Sequence, residues 1–176
     1  VGAAERFRRA GAKVSDGRVY LAPGLVERLL ALAPREVRLC GREGRGDLLL
    51  GGKRVYFGTG GAALKVVDPV ERRVRPALLR DVAQIARLVE VLPNISFFLR
   101  PVEPTDIPKE HLDVNKTYAS FAHTSKHVMT SAYSADSARA VCRLAAIVAG
   151  GEEQLRSRPI VSFVVSWCAS PLQFLP

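Results

Sequence analysis

Three apolar segments begin near residues 95, 127 and 160, about 32 residues apart, and this spacing constrains the fold most strongly. Each segment is apolar on both faces, as expected for strands buried in a parallel sheet. One strand and one helix occupy about 32 residues, which is about an eighth of a roughly 250-residue barrel. We therefore predict about half of a (β/α)8 barrel, with residues 55–60 as its first strand. A doubly wound open sheet is the alternative.

Helical periodicity separates these strands. Apolar residues recur every three or four positions in three segments, which predicts helices over residues 79–92, 108–125 and 134–149. Cys142 lies on the apolar side of the last helix, so we expect it to pack in the core. We predict the last apolar strand over residues 160–168.

The first part of the chain has shorter elements. Pieces at residues 36–39, 47–50 and 54–57 resemble strands, and Gly51-Gly52 predicts a turn between the last two. Residues 64–67 and 72–75 predict a further hairpin across Asp68-Pro69. We therefore divide the chain into an α+β segment, residues 1–53, and a truncated half-barrel, residues 54–176.

The ends of the chain suggest a larger parent. The sequence opens at Val1 without Met and stops at Pro176, soon after an apolar strand that no helix follows. A parallel strand needs neighbours and a covering helix. We expect this chain to be a piece of a larger enzyme and to be inactive by itself.

Positive charge is concentrated in the first half. Residues 1–80 carry 17 basic and 8 acidic side chains, whereas residues 81–176 carry 9 of each. Such a balance leaves a basic nucleic-acid-binding module open as an alternative function. However, the cations form no continuous block and aromatic residues do not alternate with them, so we consider nucleic acid the weaker hypothesis.

The three cysteines are widely spaced, and no metal-binding or redox motif includes them. Free thiols in a reducing cytoplasm are the simplest interpretation. No apolar run reaches the roughly 18 residues of a membrane helix, so we expect no membrane span. We also expect no bound metal, because no cluster of His and Cys residues occurs.

Polar and aromatic residues follow the predicted strands. In a barrel the active groups collect at the carboxyl ends of the strands. The candidates for substrate binding at these ends are Tyr56, Thr59, Arg100, Tyr133 and Trp167. No acid–base pair or activated nucleophile is evident, so the sequence assigns no catalytic residue.

A glycine cluster follows the first predicted strand. Residues 58–63 match the spacing G-x-G-x-x-A of dinucleotide sites, but that motif requires a helix to follow, and residues 64–67 are strand-like. Gly60 and Gly61 are better explained by close backbone approach to a ligand or a partner. A phosphate-binding nest, and hence a barrel enzyme for phosphorylated substrates, is a further alternative.

Several short motifs in a fixed order resemble the trimethylamine methyltransferase family, which includes the glycine betaine:corrinoid methyltransferases. The resemblance covers essentially the whole chain. The motifs are Arg54-Val-Tyr-Phe-Gly-Thr-Gly-Gly61, Arg75-Pro-Ala77, Val91-Leu-Pro-Asn-Ile95, Pro101-Val-Glu-Pro104, Asp106-Ile-Pro108 and Ser170-Pro-Leu172.

The resemblance implies a (β/α)8 barrel that transfers a methyl group from a methylated amine to a corrinoid carried by a separate partner protein. No cofactor is then bound directly. Trimethylamine enzymes of the family contain pyrrolysine late in the chain, whereas relatives without it use quaternary amines. Tyr56, Tyr133 and Trp167 could hold a methylated ammonium by cation–π contact, and Arg100 could pair with a substrate carboxylate. We also expect a homo-oligomer.

Overall fold

A computed structural model describes residues 2–165, 168–169 and 173–174. These residues form a mixed α/β protein of helices and small sheets, and they contain no closed barrel. The chain divides into two compact units, Val1–Glu36 and Val37–Pro176. The sequence-based boundary between residues 53 and 54 concerns the start of the barrel, and it stays a prediction.

The first unit contains two helices and a hairpin. Asp16 and Gly17 connect its strands with φ angles of 53° and 70°. Two consecutive residues with positive φ are typical of the type I′ turn, which suits the twist of a two-residue hairpin. The elements are α1 (Ala3–Arg9), β1 (Lys13–Ser15), β2 (Arg18–Tyr20) and α2 (Pro23–Leu30).

The second unit contains the parallel strands. Its described strands are β3 (Val37–Leu39), β4 (Leu48–Leu50), β5 (Lys65–Val67), β6 (Val74–Pro76), β7 (Phe97–Leu99), β8 (His127–Thr130), β9 (Val161–Phe163), β10 (Cys168–Ala169) and β11 (Gln173–Phe174). Its helices are α3 (Leu79–Val91), α4 (Lys109–His123), α5 (Ala135–Ala149) and α6 (Glu152–Ser157).

Strands β7, β8 and β9 form a parallel sheet in that order, with Phe97 opposite His127 and Val128 opposite Val161. Helices α4 and α5 connect successive strands, as the sequence spacing predicts. Helix α3 buries Val82 and Val89 in the same core as the sheet. Apolar periodicity thus predicts the three long helices correctly, because each helix has one face on the sheet.

The antiparallel pairs agree with the sequence in part. The hairpin across Asp68-Pro69 is confirmed: β5 pairs with β6, with Val67 opposite Val74. The turn at Gly51-Gly52 is confirmed, since the Arg54 amide donates to the Gly51 carbonyl at 3.3 Å. The hairpin expected across it is wrong, because β4 pairs with β3 instead. Residues 54–57 form no strand with β4, since this segment continues towards β7.

The segment expected to be the first barrel strand lies beside β7 without forming a regular strand. The amide of Ser96 donates to the Phe57 carbonyl at 2.6 Å, and single parallel bridges join Gly58 to Phe97 and Ala63 to Val102. Glycine-rich backbone of this kind pairs weakly because it has few side chains to pack.

Two further observations complete the fold. Helix α6 was not predicted, and Cys142 is exposed rather than in the core, contrary to the expectation from α5. Across the described residues, no helix combines the length and apolarity needed to cross a membrane. The same residues contain no group of three His, Cys, Asp or Glu side chains placed to hold a metal ion.

Candidate functional site

The carboxyl ends of β7 and β8 bring polar residues together. The register places Leu99 opposite Met129, and the Arg100 amide donates to the Met129 carbonyl at 3.1 Å. Because the strands are parallel, the residues that follow each strand emerge at the same edge. Arg100 therefore emerges next to Ser131, and Lys116 of α4 reaches the same edge.

Lys116 is the centre of a buried charged cluster at this edge. It lies on the sheet-facing side of α4, and its side chain is 1% exposed. Its Nζ donates to Glu103 Oε1 at 2.9 Å and to Ser131 Oγ at 3.0 Å, and it lies 2.8 Å from Asp113 Oδ1. Removing an unpaired ammonium group from water costs roughly several kcal/mol, so a buried Lys needs such partners.

Glu103 connects the two cations of the cluster. Arg100 Nη1 donates to Glu103 Oε2 at 2.5 Å, while the other carboxylate oxygen accepts from Lys116. The Glu103 amide donates to the Ala63 carbonyl at 3.0 Å, which fixes its backbone beside the glycine-rich segment. Arg100, Lys116, Glu103 and Asp113 thus contribute two positive and two negative charges in direct contact.

Tyr133 lies at the solvent side of the cluster. Its amide donates to Asp113 Oδ2 at 2.8 Å and its hydroxyl donates to Glu103 Oε1 at 3.2 Å. Lys116 Nζ lies 5.1 Å from the ring centroid, within cation–π range. The residue is nevertheless 66% exposed. Desolvation of the hydroxyl, and then the Glu103 charge, raise the pKa of the Tyr133 phenol.

The structure brings several predicted site residues to this edge. Thr59 Oγ1 donates to the Leu99 carbonyl at 2.5 Å. The Gly61 backbone runs beside Pro101, and a Cβ at Gly61 would lie 3.2 Å from the Pro101 carbonyl oxygen. Gly60 lies between them. These residues therefore flank Arg100, and their contact with substrate stays a prediction.

Tyr56 does not lie with this group. Tyr56 precedes Phe57, whose carbonyl bonds to Ser96 at the start of β7. Tyr56 is four positions before Gly60 in the chain, or about 13 Å of extended backbone. Tyr56 is thus near the amino end of β7. Trp167 lies outside the described residues, and a role for either residue in substrate binding stays a prediction.

Gly58 explains one part of the glycine cluster. A Cβ at this position would lie 2.3 Å from the Phe97 ring. The close approach expected of these glycines is therefore made, at Gly58, to a side chain of the same protein. The segment then continues into β5 rather than a helix, so the structural context required by the dinucleotide motif is not present.

Sequence reasoning missed Glu103, Asp113 and Lys116. The signal available was the position of Asp113 and Lys116, three residues apart, on the side of α4 that also carries buried Leu112. Charged residues on a sheet-facing stripe indicate either paired burial or a site. The family resemblance likewise suggests a substrate carboxylate as the partner of Arg100, whereas in the structure Arg100 donates to the carboxylate of Glu103.

The chain is therefore an α/β protein with a charge-balanced polar cluster at the carboxyl ends of its parallel strands. The family model described as trimethylamine methyltransferase (MTTB) matches residues 2–175. The chain belongs to the trimethylamine methyltransferase family.

Individual relatives agree with this assignment. The chain is 38% identical to a trimethylamine methyltransferase of Desulfitobacterium hafniense (strain DSM 10664 / DCB-2), over 98% of this chain and 35% of the relative. It is 30% identical to a glycine betaine methyltransferase of Desulfitobacterium hafniense (strain Y51), over 98% of this chain and 36% of the relative. It is 31% identical to a trimethylamine methyltransferase of Methanosarcina barkeri, over 95% of this chain and 35% of the relative. The chain spans about a third of the length of these curated relatives.

Proposed function

We propose that the whole protein transfers a methyl group from a methylated amine, either trimethylamine or a quaternary amine such as glycine betaine, to a corrinoid carried by a partner protein. The observation that carries this proposal is the family match over residues 2–175. Relatives named for trimethylamine and for glycine betaine both match nearly the whole chain, so both amines are candidate substrates.

We further propose that this unit is part of a (β/α)8 barrel. Three parallel strands in sequential order, with α4 and α5 as crossovers, support this architecture. Sequential parallel order with one helix between neighbours is the arrangement from which such barrels are built. The charged cluster then lies at the end of the barrel where active sites of this fold occur.

The cluster is suited to position a substrate rather than to react with it. The corrinoid supplies the cobalt that accepts the methyl group. The exposed side of the Tyr133 ring offers a cation–π surface to a methylated ammonium. Its other side faces Lys116, and this contact fixes the ring.

Arg100 has two possible partners under this proposal. Its Nη1 is bonded to Glu103, so a substrate carboxylate would have to share the guanidinium with an internal carboxylate. We therefore expect Arg100 to assist glycine betaine more than trimethylamine, because trimethylamine has no carboxylate.

The test uses the whole protein with its purified corrinoid protein reduced to cobalt(I). Trimethylamine, glycine betaine and related betaines are supplied separately, and the absorbance of the corrinoid reports methylation. We expect a spectral change with at least one amine. The absence of a change with every amine would refute the proposed reaction. The variant Arg100→Met should weaken glycine betaine binding more than trimethylamine binding, and equal weakening would assign Arg100 a structural role.

A further inference from the structure

The hairpin formed by β5 and β6 presents an apolar face to solvent. Side chains alternate across a strand, and Val66 and Arg75 point inward while Val67 and Val74 point outward as a cross-strand pair. Val67 is 67% exposed and Val74 is 64% exposed, and Val70 at the tip is 87% exposed. Adjacent exposed apolar side chains of this kind are typical of interaction sites.

Ion pairs hold this hairpin in one conformation. Arg75 Nε donates to Asp68 Oδ2 at 2.8 Å, and its two terminal nitrogens bind Asp81 at 2.7 and 2.8 Å. Asp68 Oδ1 also accepts from the amides of Val70 and Glu71 in the turn. The hydrogen bond from Arg75, followed by those from the turn, lowers the pKa of Asp68 to about 2. The valine face is therefore preorganised, and binding to it costs little conformational entropy.

The hairpin rises from the same edge as the charged cluster. Ala63, two residues before β5, donates to the Pro101 carbonyl and accepts from the Glu103 amide, both at 3.0 Å. Glu103 is a member of the cluster. A protein that approaches the cluster from the carboxyl ends of the strands consequently passes beside the hairpin.

Cations flank the apolar face. Lys65 lies on the outward side of β5, and Arg72 lies in the connecting loop with a φ of 52°; both are exposed. Arg73 forms an ion pair with Glu71 and adds no net charge. The complementary surface is therefore apolar at its centre and acidic at its rim.

We propose that the outward face of the hairpin, comprising Lys65, Val67, Val70, Arg72 and Val74, docks the partner protein that carries the methyl acceptor. The partner is expected to present an apolar patch bordered by Asp and Glu. This inference rests on the proposed function, because that reaction requires a second protein at the carboxyl ends of the strands.

The test compares the double variant Val67→Glu/Val74→Glu with wild type in the whole protein. Val91→Glu is the control for an added surface carboxylate, since Val91 is 74% exposed and is the last residue of α3. Helix α3 begins soon after β6, and its length of about 18 Å separates Val91 from that start. Binding to the purified corrinoid protein is measured by interferometry, and methyl transfer gives KM for each substrate. We expect at least about tenfold weaker partner binding for the double variant, or about 1.4 kcal/mol. The KM for the amine and the rate at saturating partner should not change, and the control should behave as wild type.

Other results would overturn the proposal. Wild-type affinity in the double variant would show that the face is not the docking site. A lower melting temperature or a changed oligomeric state would show that the rest of the chain, or a second copy, covers the face. Wild type that fails to bind the corrinoid protein would also overturn it. Wild type that binds this protein but transfers no methyl group would refute the proposed reaction alone, and the binding comparison would still decide the docking site.

Discussion

Lys116 is the residue on which the charged cluster depends. Replacing it with Met removes one cation and leaves Glu103 and Asp113 buried with Arg100 as the remaining counter-ion. Removing one partner of a buried ion pair costs about 3–5 kcal/mol. We expect a loss of this order in the unfolding free energy of the whole protein, measured by chemical denaturation.

A second substitution provides the control for Lys116→Met. Adding Glu103→Gln restores charge balance between Arg100 and Asp113, so the double variant should be more stable than Lys116→Met alone. Strictly additive losses would contradict a coupled cluster, because residues in one network show interaction energies of about 0.5–3 kcal/mol.

Gly58 tests how closely the glycine-rich segment approaches β7. An added methyl group would overlap the Phe97 ring, so Gly58→Ala should destabilise the protein by about 1–3 kcal/mol through overpacking. Gly60→Ala is the matched control, since its nearest contact would be Leu99 Cδ2 at 3.9 Å. Thermal denaturation measures both. Adding Phe97→Leu should partly rescue Gly58→Ala, and equal stability of the two alanine variants would contradict the contact.

Among the elements, β8 is connected to two other segments by a buried histidine. His127 Nδ1 lies 3.1 Å from the Cys40 carbonyl oxygen, and Nε2 lies 2.9 Å from Ser162 Oγ on β9. A carbonyl can only accept, so Nδ1 donates and Nε2 accepts from the serine hydroxyl. The neutral ring therefore satisfies both partners.

This histidine predicts a pH dependence. Burial lowers the pKa of His127 below its ordinary value of 6.5, although hydrogen bonds to backbone carbonyls oppose the shift. The unfolded chain therefore binds a proton at a higher pH than the folded chain. Its contribution to stability is complete above about pH 6.5 and is lost as the pH falls below that value.

The expected result is a melting temperature that decreases between pH 7 and 5. His127→Gln retains hydrogen-bonding groups but does not titrate, so its melting temperature should change less over the same range. Equal slopes for wild type and variant would assign the pH dependence to other groups.

The elements also show what the sequence can and cannot predict. Helix α3 was predicted because Val82, Ala86 and Val89 repeat at helical spacing. The sequence does not predict the pairing of β3 with β4, because the turn at Gly51-Gly52 favours a hairpin between residues 47–50 and 54–57. The connection actually used is held by the Gly41 amide bonded to Asp47 Oδ1 and the Arg42 amide bonded to the distant Ser125 carbonyl.

The same contrast applies to the site. Arg100 and Tyr133 could be predicted because each follows an apolar strand, and parallel strands share an edge. The position of Tyr56 could not be predicted, because it depends on how residues 54–60 are aligned along β7. No local sequence pattern encodes this alignment. Lys116 is hard to predict because helical periodicity indicates packing and does not show that a helical side chain reaches the strand ends.

At the scale of the whole molecule, exposed apolar surface predicts the behaviour of these 176 residues expressed alone. Strand β9 pairs with β8 on one side, and Val164 and Val165 after it are exposed among the described residues. Together with the valine face of the hairpin, this surface favours self-association. We expect aggregates or oligomers in light scattering after size exclusion. A monodisperse monomer with a sharp cooperative melt would contradict this prediction.

The Arg75 ion pairs have a further consequence for the order of assembly. Asp68 and Asp81, which Arg75 joins, are 13 positions apart in the chain, whereas Gly58 meets Phe97 across a much longer loop. Contacts between near neighbours form faster, because closing a short loop costs less entropy. During synthesis the hairpin would be complete while β7 is still emerging, so its Val67 and Val74 side chains would be exposed to chaperones before the rest of the sheet exists.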